Sequence, residues 1–402
     1  MQGAQRNTFV LCSFLRGRVI DSLGKARYPE DLTVIATLIA LPGDKLLQRS
    51  FRIAALALGA IFGLIVQPAR PHAEDLPFAH FKVLGSLERT SHYREIEEPF
   101  WSRRLYEDSG GRISAEIAPF DKAGVTASEA VQLTRLGVIS FLTVQVGLIA
   151  AEDPEANASD LPGVSPTIED MKGATDAWKP VLNRVFGDRY GIDVLAVMGY
   201  PAQALFCVAP LASLGDVTGR NIRTSSVQQT DFIDALGARG VLMPLGDTRQ
   251  ALESGTVDCA ITGTLTGNLM GLQKVSRYLY DRPISWGLEV VLANGKGWLG
   301  LDAKVRSFLV HELAELEAET WKSSAAATFD GIACNAGRPA CIGGTEGHMV
   351  LVPPSETDSA LIHRALIDRL LPKWAERCGP ECTADWNRLI GGLVGLTAKA
   401  AD

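Results

Sequence analysis

The feature that most constrains the fold is a strand–helix–strand–helix–strand pattern that occurs twice along the chain. The first copy begins with the apolar run 81–85 and ends at 139–144, and the second lies within 219–261. Short apolar runs that alternate with amphipathic stretches are typical of α/β sheets. The repetition predicts an α/β protein with two α/β lobes, each built on its own sheet.

Two later segments are predicted to join these lobes. Residues 290–293 form a short apolar strand that can return to the first lobe, and 301–329 contains no Gly or Pro. We therefore expect hinge strands and a long bracing helix. The predicted division is lobe I at 74–199, lobe II at 200–288, the return strand and bracing helix at 289–330, and a disulfide-clipped C-terminal helical appendix at 331–402 with a helix at about 356–376.

The first 73 residues are predicted to be a leader and signal peptide. Fourteen uncharged residues at 53–66 follow Lys45, Arg49 and Arg52, and a short polar region after them ends in Ala73. This pattern is typical of a secretory signal, whereas a membrane span needs roughly 20 apolar residues. We expect export to the periplasm with cleavage after Ala73, and a retained anchor is the alternative. Residues 1–45 are interpreted as the product of a start codon assigned too early.

The charge balance argues against one class of partner. Residues 1–73 contain 9 Lys and Arg against 4 Asp and Glu, so the remainder of the chain carries a net charge of −12. Such an acidic protein is a poor ligand for nucleic acid. No nucleic-acid partner is expected.

Cysteine spacing also favours an oxidising compartment. Cys334 and Cys341 form one close pair and Cys378 and Cys382 another, and we predict both as disulfides. A thioredoxin-like redox motif has two residues between its cysteines, whereas CGPEC has three, so a structural disulfide is favoured. The two remaining cysteines of the predicted mature chain lie in apolar runs and are interpreted as buried thiols and not as ligands, with the question whether they pair left open: Cys207 and Cys259.

Candidate ligand-binding residues lie where the predicted strands end, because open α/β sheets bind ligands beyond the carboxyl ends of their strands. These positions hold small, polar or singly basic residues: Ser86, Thr126, Gln145, Arg223, Leu245 and Thr262. Arg223 is the first candidate, since a planar guanidinium can hold a carboxylate through two parallel hydrogen bonds. A surface salt bridge is the alternative for Arg223, and Trp286 either stacks on a ligand or packs at a hinge.

Catalytic and metal-binding motifs are incomplete in the sequence. His311–Glu315 reads HELAE, where a zinc protease motif requires a second histidine at the last position, so a solvated helix face is favoured. The chain has no nucleophile elbow, phosphate-binding loop or dinucleotide-binding glycine motif. We predict a binding protein without metal or cofactor, not an enzyme. A periplasmic hydrolase or redox enzyme would need a titratable pair in the cleft.

The second repeat resembles the substrate-binding proteins of tripartite ATP-independent periplasmic (TRAP) transporters, the dicarboxylate-binding-protein family. The resemblance rests on GRNIRTSS, on DFIDALGARGVLMPLGDTRQALESGTVDCAI and on the following NLMGLQKVSRYLY. It extends upstream through 110–141 and through LPGVSP at 161–166. The cysteine-containing C-terminal end is not covered.

This resemblance implies a two-lobed periplasmic-binding-protein fold, type II-like, whose cleft closes on a small organic acid and passes it to membrane permease subunits. Arg223 stands where the family places its carboxylate-binding arginine. Gln203 and Gln145 stand where some sialic-acid-binding members have an arginine and a glutamate, and Thr262 where an asparagine is common, so sialic acid is not expected. One arginine favours a monocarboxylate, with a dicarboxylate left open. The alternative function is a periplasmic ligand sensor of the same fold that reports to a membrane signalling protein.

Overall fold

The strands form two sheets, one in each lobe, in a computed structural model that describes residues 76–400. The predicted signal peptide, its cleavage site and residues 1–45 lie outside the described residues. The strands are β1 Ala79–Gly85, β2 Ile113–Pro119, β3 Phe141–Gln145, β4 Ile192–Gly199, β5 Gln203–Cys207, β6 Asn221–Thr224, β7 Arg239–Leu242, β8 Cys259–Gly263, β9 Tyr278–Ser285, β10 Leu288–Asn294 and β11 Val350–Val352.

Helices cover both sheets and the connections between them. Within residues 76–400, no helix is both long enough and apolar enough to span a membrane. The helices are α1 (91–108), α2 Ala127–Arg135, α3 Ile168–Tyr190, α4 Val227–Ala235, α5 Thr248–Glu253, α6 Thr264–Leu269, α7 Gly295–Gly300, α8 Ala303–Ala336, α9 Glu356–Ala365 and α10 Leu371–Trp386.

The lobe I sheet has the strand order β2-β1-β3-β10-β4. The first repeat supplies β1, β2 and β3, and β1 pairs in parallel with both of the others. The return strand β10 lies antiparallel between β3 and β4. The predicted first unit and the predicted return to lobe I are therefore confirmed.

The lobe II sheet has the strand order β11-β9-β5-β8-β6-β7. The second repeat supplies β6, β7 and β8, with β6 parallel to both neighbours. The strand predicted at 241–245 is instead β7, which ends at Leu242. Pro244 has no N–H to donate to a strand partner, and Leu245 begins a short helical turn. The two-lobed α/β fold is confirmed.

The chain crosses between the lobes at 200–202 and at 286–287, and α8 packs against both of them. In lobe I, the indole N–H of Trp321 donates to the Val197 carbonyl of β4 at 3.1 Å. In lobe II, Gly331 lies against α6 so closely that a Cβ there would sit 2.2 Å from the Leu265 nitrogen. The long bracing helix is present, but the predicted end at 329 was wrong, because Gly331 serves close packing and α8 continues to Ala336.

The C-terminal segment packs into the core that both lobes share. Trp374 and Trp386 are fully buried, and their indole N–H groups donate to the carbonyls of Pro154 and Ala158 at 3.1 and 2.8 Å. Helical turns continue past the predicted end at 376, with a break at Gly379, whose φ is +83°. Both predicted disulfides are present, namely Cys334–Cys341 and Cys378–Cys382.

Cys207 and Cys259, whose pairing the sequence left open, form a disulfide and are therefore not free thiols. Cys207 ends β5 and Cys259 begins β8, and the antiparallel pairing of these strands places the two residues directly opposite each other. Both are fully buried. The bond therefore closes a long loop inside lobe II.

A buried carboxylate holds the second crossing between the lobes. Asp160 is 5% exposed. Its two oxygens accept the backbone N–H groups of Trp286 and Gly287 at 2.9 and 2.6 Å. Burial raises the pKa of the Asp160 carboxyl to about 7, although the two hydrogen bonds act to lower it. The folded protein therefore holds this proton over a pH range in which an unfolded aspartate is ionised.

Because the pKa of the Asp160 carboxyl is raised, we expect the effect of Asp160→Asn on stability to depend on pH. A raised carboxyl pKa contributes stability that is present at low pH and is lost as the pH rises through about 7. Asparagine does not titrate, so the loss of unfolding free energy in the variant should be larger at pH 5 than at pH 8, by ~2–3 kcal/mol. Denaturant unfolding of both proteins at the two pH values measures this difference. An equal loss at both would contradict the assigned proton.

Candidate functional site

A cavity of about 540 Å³ lies between the lobes, where strand ends from both sheets meet. Lobe I contributes the segment after β2 and the end of β3, and lobe II contributes the ends of β6 and β8 and the segment after β7. Binding at the carboxyl ends of strands is the general rule for open α/β sheets. We refer to this cavity as the cleft.

Arg223 lines the cleft from β6 and is 2% exposed. Its Nε donates to the Met243 carbonyl at 3.0 Å and its Nη1 to the Ile261 carbonyl at 2.8 Å. Nη2 has no acceptor among residues 76–400, and no carboxylate there lies within ion-pair distance of this guanidinium, although the charge of Asp247 acts on it from farther away. The arginine is therefore held rigidly by the backbone and has one unused donor group.

Burial lowers the pKa of Arg223 to about 10, from an ordinary value of 12.5. The guanidinium consequently remains charged at neutral pH. A buried charge without a counter-charge is unfavourable, and an anion that enters the cleft relieves that cost. The surface salt bridge considered as the alternative for Arg223 is not formed in the described part of the chain.

Five other residues predicted for the site also line the cleft: Gln145, Gln203, Thr262, Thr126 and Leu245. Thr126 has a second task, because its hydroxyl donates to the Glu129 carboxylate and accepts the Glu129 N–H at the start of α2. The Thr262 hydroxyl makes no hydrogen bond within the described chain. Four of these residues bring polar groups to the cleft beside Arg223, and Leu245 brings an apolar one.

Ser86 and Trp286 were also predicted for the site, but neither lines the cleft. The Ser86 hydroxyl is fully buried and donates to the Glu289 carboxylate at 2.5 Å. The indole N–H of Trp286 donates to the Ser165 carbonyl at 2.9 Å, so this side chain packs at the crossing instead of stacking on a ligand. Both side chains are occupied by contacts distant in sequence, which no local pattern indicates.

Behind the cleft wall lies a buried acidic group that does not line the cleft. The group consists of Glu289 and Glu97, and a Glu289 carboxylate oxygen lies 3.2 Å from His92 Nε2. The side chains of all three residues are nearly inaccessible to solvent. Burial, together with the Glu289 carboxylate, raises the pKa of Glu97 well above its usual value. The two glutamates are therefore out of reach of a cleft ligand.

The main site residue missed from the sequence is Tyr200, at the first crossing between the lobes. Its hydroxyl forms a 3.1 Å hydrogen bond with Thr266 of α6. Burial, and after it the Glu289 carboxylate, raises the pKa of the Tyr200 hydroxyl, which stays protonated. An aromatic residue beside the predicted lobe boundary at 199 is the sequence signal that could have identified it. An apolar wall was also missed: Phe120, Leu148, Leu242 and Met243.

The HELAE stretch forms an ion-paired helix face. His311, Glu312 and Glu315 place possible ligand atoms within 4.8 Å of one another on α8. Arg104 lies 3.8 Å from Glu312 and 3.2 Å from Glu315, and His311 and Glu315 are exposed. A second cluster, Asp330 with Cys334 and Cys341, involves two sulfurs that are already joined as a disulfide.

The fold is similar to that of several solved solute receptors. One is an extracytoplasmic solute receptor of Bordetella pertussis that binds pyroglutamic acid, with a TM-score of 0.67 and 18% identity over 78% of this chain and 99% of that chain. A second is a TRAP periplasmic solute-binding protein of Desulfovibrio salexigens with bound orotic acid. Its TM-score is 0.67, with 16% identity over 78% of this chain and 99% of that chain. A third is a TRAP periplasmic solute-binding protein of Sulfitobacter with bound β-D-galacturonate. Its TM-score is 0.66, with 17% identity over 78% of this chain and 100% of that chain.

Two curated relatives match at lower coverage. The uncharacterised protein YiiZ of Salmonella typhimurium is 24% identical over 211 residues, which is 51% of this chain and 64% of that protein. A solute-binding protein of Chromohalobacter salexigens is 24% identical over 183 residues, 44% of this chain and 53% of that protein. The match thus spans less than two thirds of either relative.

The model of one protein family matches residues 87–331, which include the second repeat, the first repeat without its first strand, both crossings and every cleft residue described above. The resemblance seen in the sequence of the second repeat is therefore confirmed. The match ends within α8, so the C-terminal helical segment lies beyond it. The chain belongs to family 7 of the bacterial extracellular solute-binding proteins.

Proposed function

We propose that the protein is an extracytoplasmic solute receptor of a TRAP-type transporter, which binds a small organic acid in the cleft and delivers it to membrane permease subunits. The observation that carries this proposal is Arg223, a buried guanidinium that lines the cleft without a carboxylate partner in the described chain. A ligand carboxylate supplies the missing counter-charge and accepts a hydrogen bond from the free Nη2.

The ligand is proposed to be a monocarboxylate. Arg223 is the one Arg, Lys or His that lines the cleft within residues 76–400. A second carboxylate in the same cleft has no cation to pair with, and its desolvation is costly. The apolar wall suits the body of an organic acid. Pyroglutamic acid, orotic acid and galacturonate, bound by similar structures, are each monocarboxylates.

Binding without chemistry is favoured by the titratable groups of the cleft. In the described chain they are Asp121, Tyr200 and Arg223. Tyr200 and Arg223 keep their protons at neutral pH, because the pKa of each lies well above 7. General acid–base catalysis needs a group that titrates near the working pH. Export to the periplasm is part of the proposal and agrees with the three disulfides.

A thermal-shift screen of the purified protein tests the proposal. A ligand that binds only the folded state raises the melting temperature. At a ligand concentration a hundred times its Kd, the unfolding free energy increases by ~2.7 kcal/mol. We expect a clear upward shift with at least one small monocarboxylate, and a weaker one with dicarboxylates of similar size. No shift with any organic acid would overturn the proposed ligand class, and turnover of the bound acid would overturn the assignment as a receptor.

A further inference from the structure

A hydrogen-bond chain behind the cleft starts at a backbone group and ends at a cleft residue. The backbone N–H of Ser225 donates to Gln229 Oε1 at 2.9 Å. A backbone N–H can only donate, so it determines which side of the Gln229 amide carries the oxygen. Gln229 is 2% exposed and belongs to α4. Its orientation is therefore fixed by the main chain of lobe II.

The fixed amide of Gln229 in turn fixes that of Gln203. Gln229 Nε2 donates to Gln203 Oε1 at 3.0 Å and to the Ser285 hydroxyl at 2.9 Å. The oxygen of Gln203 is therefore occupied as an acceptor, by Gln229 Nε2 and, at 3.4 Å, by the Ser225 hydroxyl. Gln203 itself lines the cleft, and its Nε2 has no acceptor among the described residues. The group that Gln203 offers to a ligand is accordingly an N–H donor.

We propose that Gln229 is a positioning residue that makes Gln203 an obligatory hydrogen-bond donor, so that the cleft selects a monocarboxylate with a second oxygen acceptor on its body. This inference rests on the proposed function of the cleft and goes further by naming a feature of the ligand. A ligand without that acceptor leaves a nearly buried N–H unpaired, which disfavours binding roughly 10- to 100-fold. In this arrangement Arg223 binds the ligand carboxylate, and the Gln203 N–H donates a hydrogen bond to the second oxygen.

The test compares acids that differ at the acceptor. Two pairs serve as probes: 4-oxopentanoate with pentanoate, and 3-oxocyclopentanecarboxylate with cyclopentanecarboxylate. For the wild-type protein, calorimetric titration should give roughly 10- to 100-fold tighter binding for the first member of each pair. The ratio within a pair is the readout, because a general loss of folding or affinity affects both members alike.

Gln229→Glu should abolish or reverse this preference. One oxygen of the introduced carboxylate still accepts the Ser225 N–H, and the other now faces Gln203 Oε1, so the Gln203 amide turns over and presents its oxygen to the cleft. Gln203→Leu is a second variant that removes the donor and should bring the ratio close to one without disturbing α4. Gln250→Glu makes the same chemical change at an exposed residue of α5 and should leave the ratio unchanged.

Different results show which part of the account fails. Equal responses of the wild-type protein to both members of each pair, including no response to either, overturn the inference. An unchanged preference in Gln229→Glu overturns the role of Gln229, and an unchanged preference in Gln203→Leu overturns the role of Gln203 as the donor. If other monocarboxylates bind and depend on Arg223 while these ratios stay at one, the proposed function survives without the inference. If no monocarboxylate binds at all, the proposed function fails as well.

Discussion

Replacing Arg223 by alanine should weaken binding of the cleft monocarboxylate by about 30-fold to several thousand-fold. Removing one partner of a buried, hydrogen-bonded charge pair costs roughly 2–5 kcal/mol, and each 1.4 kcal/mol is a tenfold change in Kd. Arg223 is the one Arg, Lys or His that lines the cleft within residues 76–400, so no neighbouring cation can take its place. Isothermal titration calorimetry with the acid found by the thermal-shift screen measures the change.

Arg220→Ala is the matched control for this prediction. Arg220 precedes Arg223 by three residues and likewise donates to two backbone carbonyls, those of Ala209 and Pro210, but it does not line the cleft. Its removal should leave the Kd nearly unchanged. Arg223→Lys keeps the charge and loses the planar group, so it should restore only part of the affinity. Equal effects of Arg220→Ala and Arg223→Ala would contradict a specific role of Arg223 in the cleft.

Removing the Cys207–Cys259 disulfide should cause the larger loss of stability among the cysteine variants. The bond joins residues 52 apart in sequence, and closing a loop of that length contributes about 4 kcal/mol in the chain-entropy account. Cys207→Ala/Cys259→Ala should lower the unfolding free energy by roughly that amount, with a further loss from the vacated core. Denaturant unfolding under non-reducing conditions measures it.

The Cys334–Cys341 bond provides the internal comparison. Its loop spans only 7 residues, for which the same account gives about 2.5 kcal/mol. Cys334→Ala/Cys341→Ala should therefore be the milder double variant. If the short loop proves as important as the long one, loop closure is not what stabilises lobe II at β5 and β8.

The repeated units were predictable because each of their strands is a separate apolar run. A glycine or a stretch with apolar residues at helical spacing separates each run from the next. No strands were predicted within 192–207, because β4 and β5 form one nearly continuous apolar stretch although they belong to different sheets. The α3 helix contains Pro180, a residue that normally ends a helix, and gives no clear signal. The end of α8 was missed because the sequence does not reveal that Gly331 is a contact point for α6.

The site was predictable as far as strand ends define it. Arg223, Gln145 and Thr262 follow from that rule, and all three line the cleft. Ser86 satisfies the same rule but bonds to Glu289, a residue 203 positions away, which only the folded chain brings near. The pairing of Cys207 with Cys259 is hidden for the same reason, since it depends on β5 lying beside β8. Local sequence thus gives the elements of the cleft but not their tertiary partners.

The central claim is that an unpaired, buried Arg223 makes the cleft a receptor for a carboxylate. Its most direct test is calorimetric titration of the wild-type protein with the acid that gives the largest thermal shift and with the primary amide of that acid. The amide keeps the shape and loses the charge. Our account predicts that the acid binds at least ~30-fold more tightly, the lower limit for a buried charge pair. Equal affinity for the acid and the amide would contradict it.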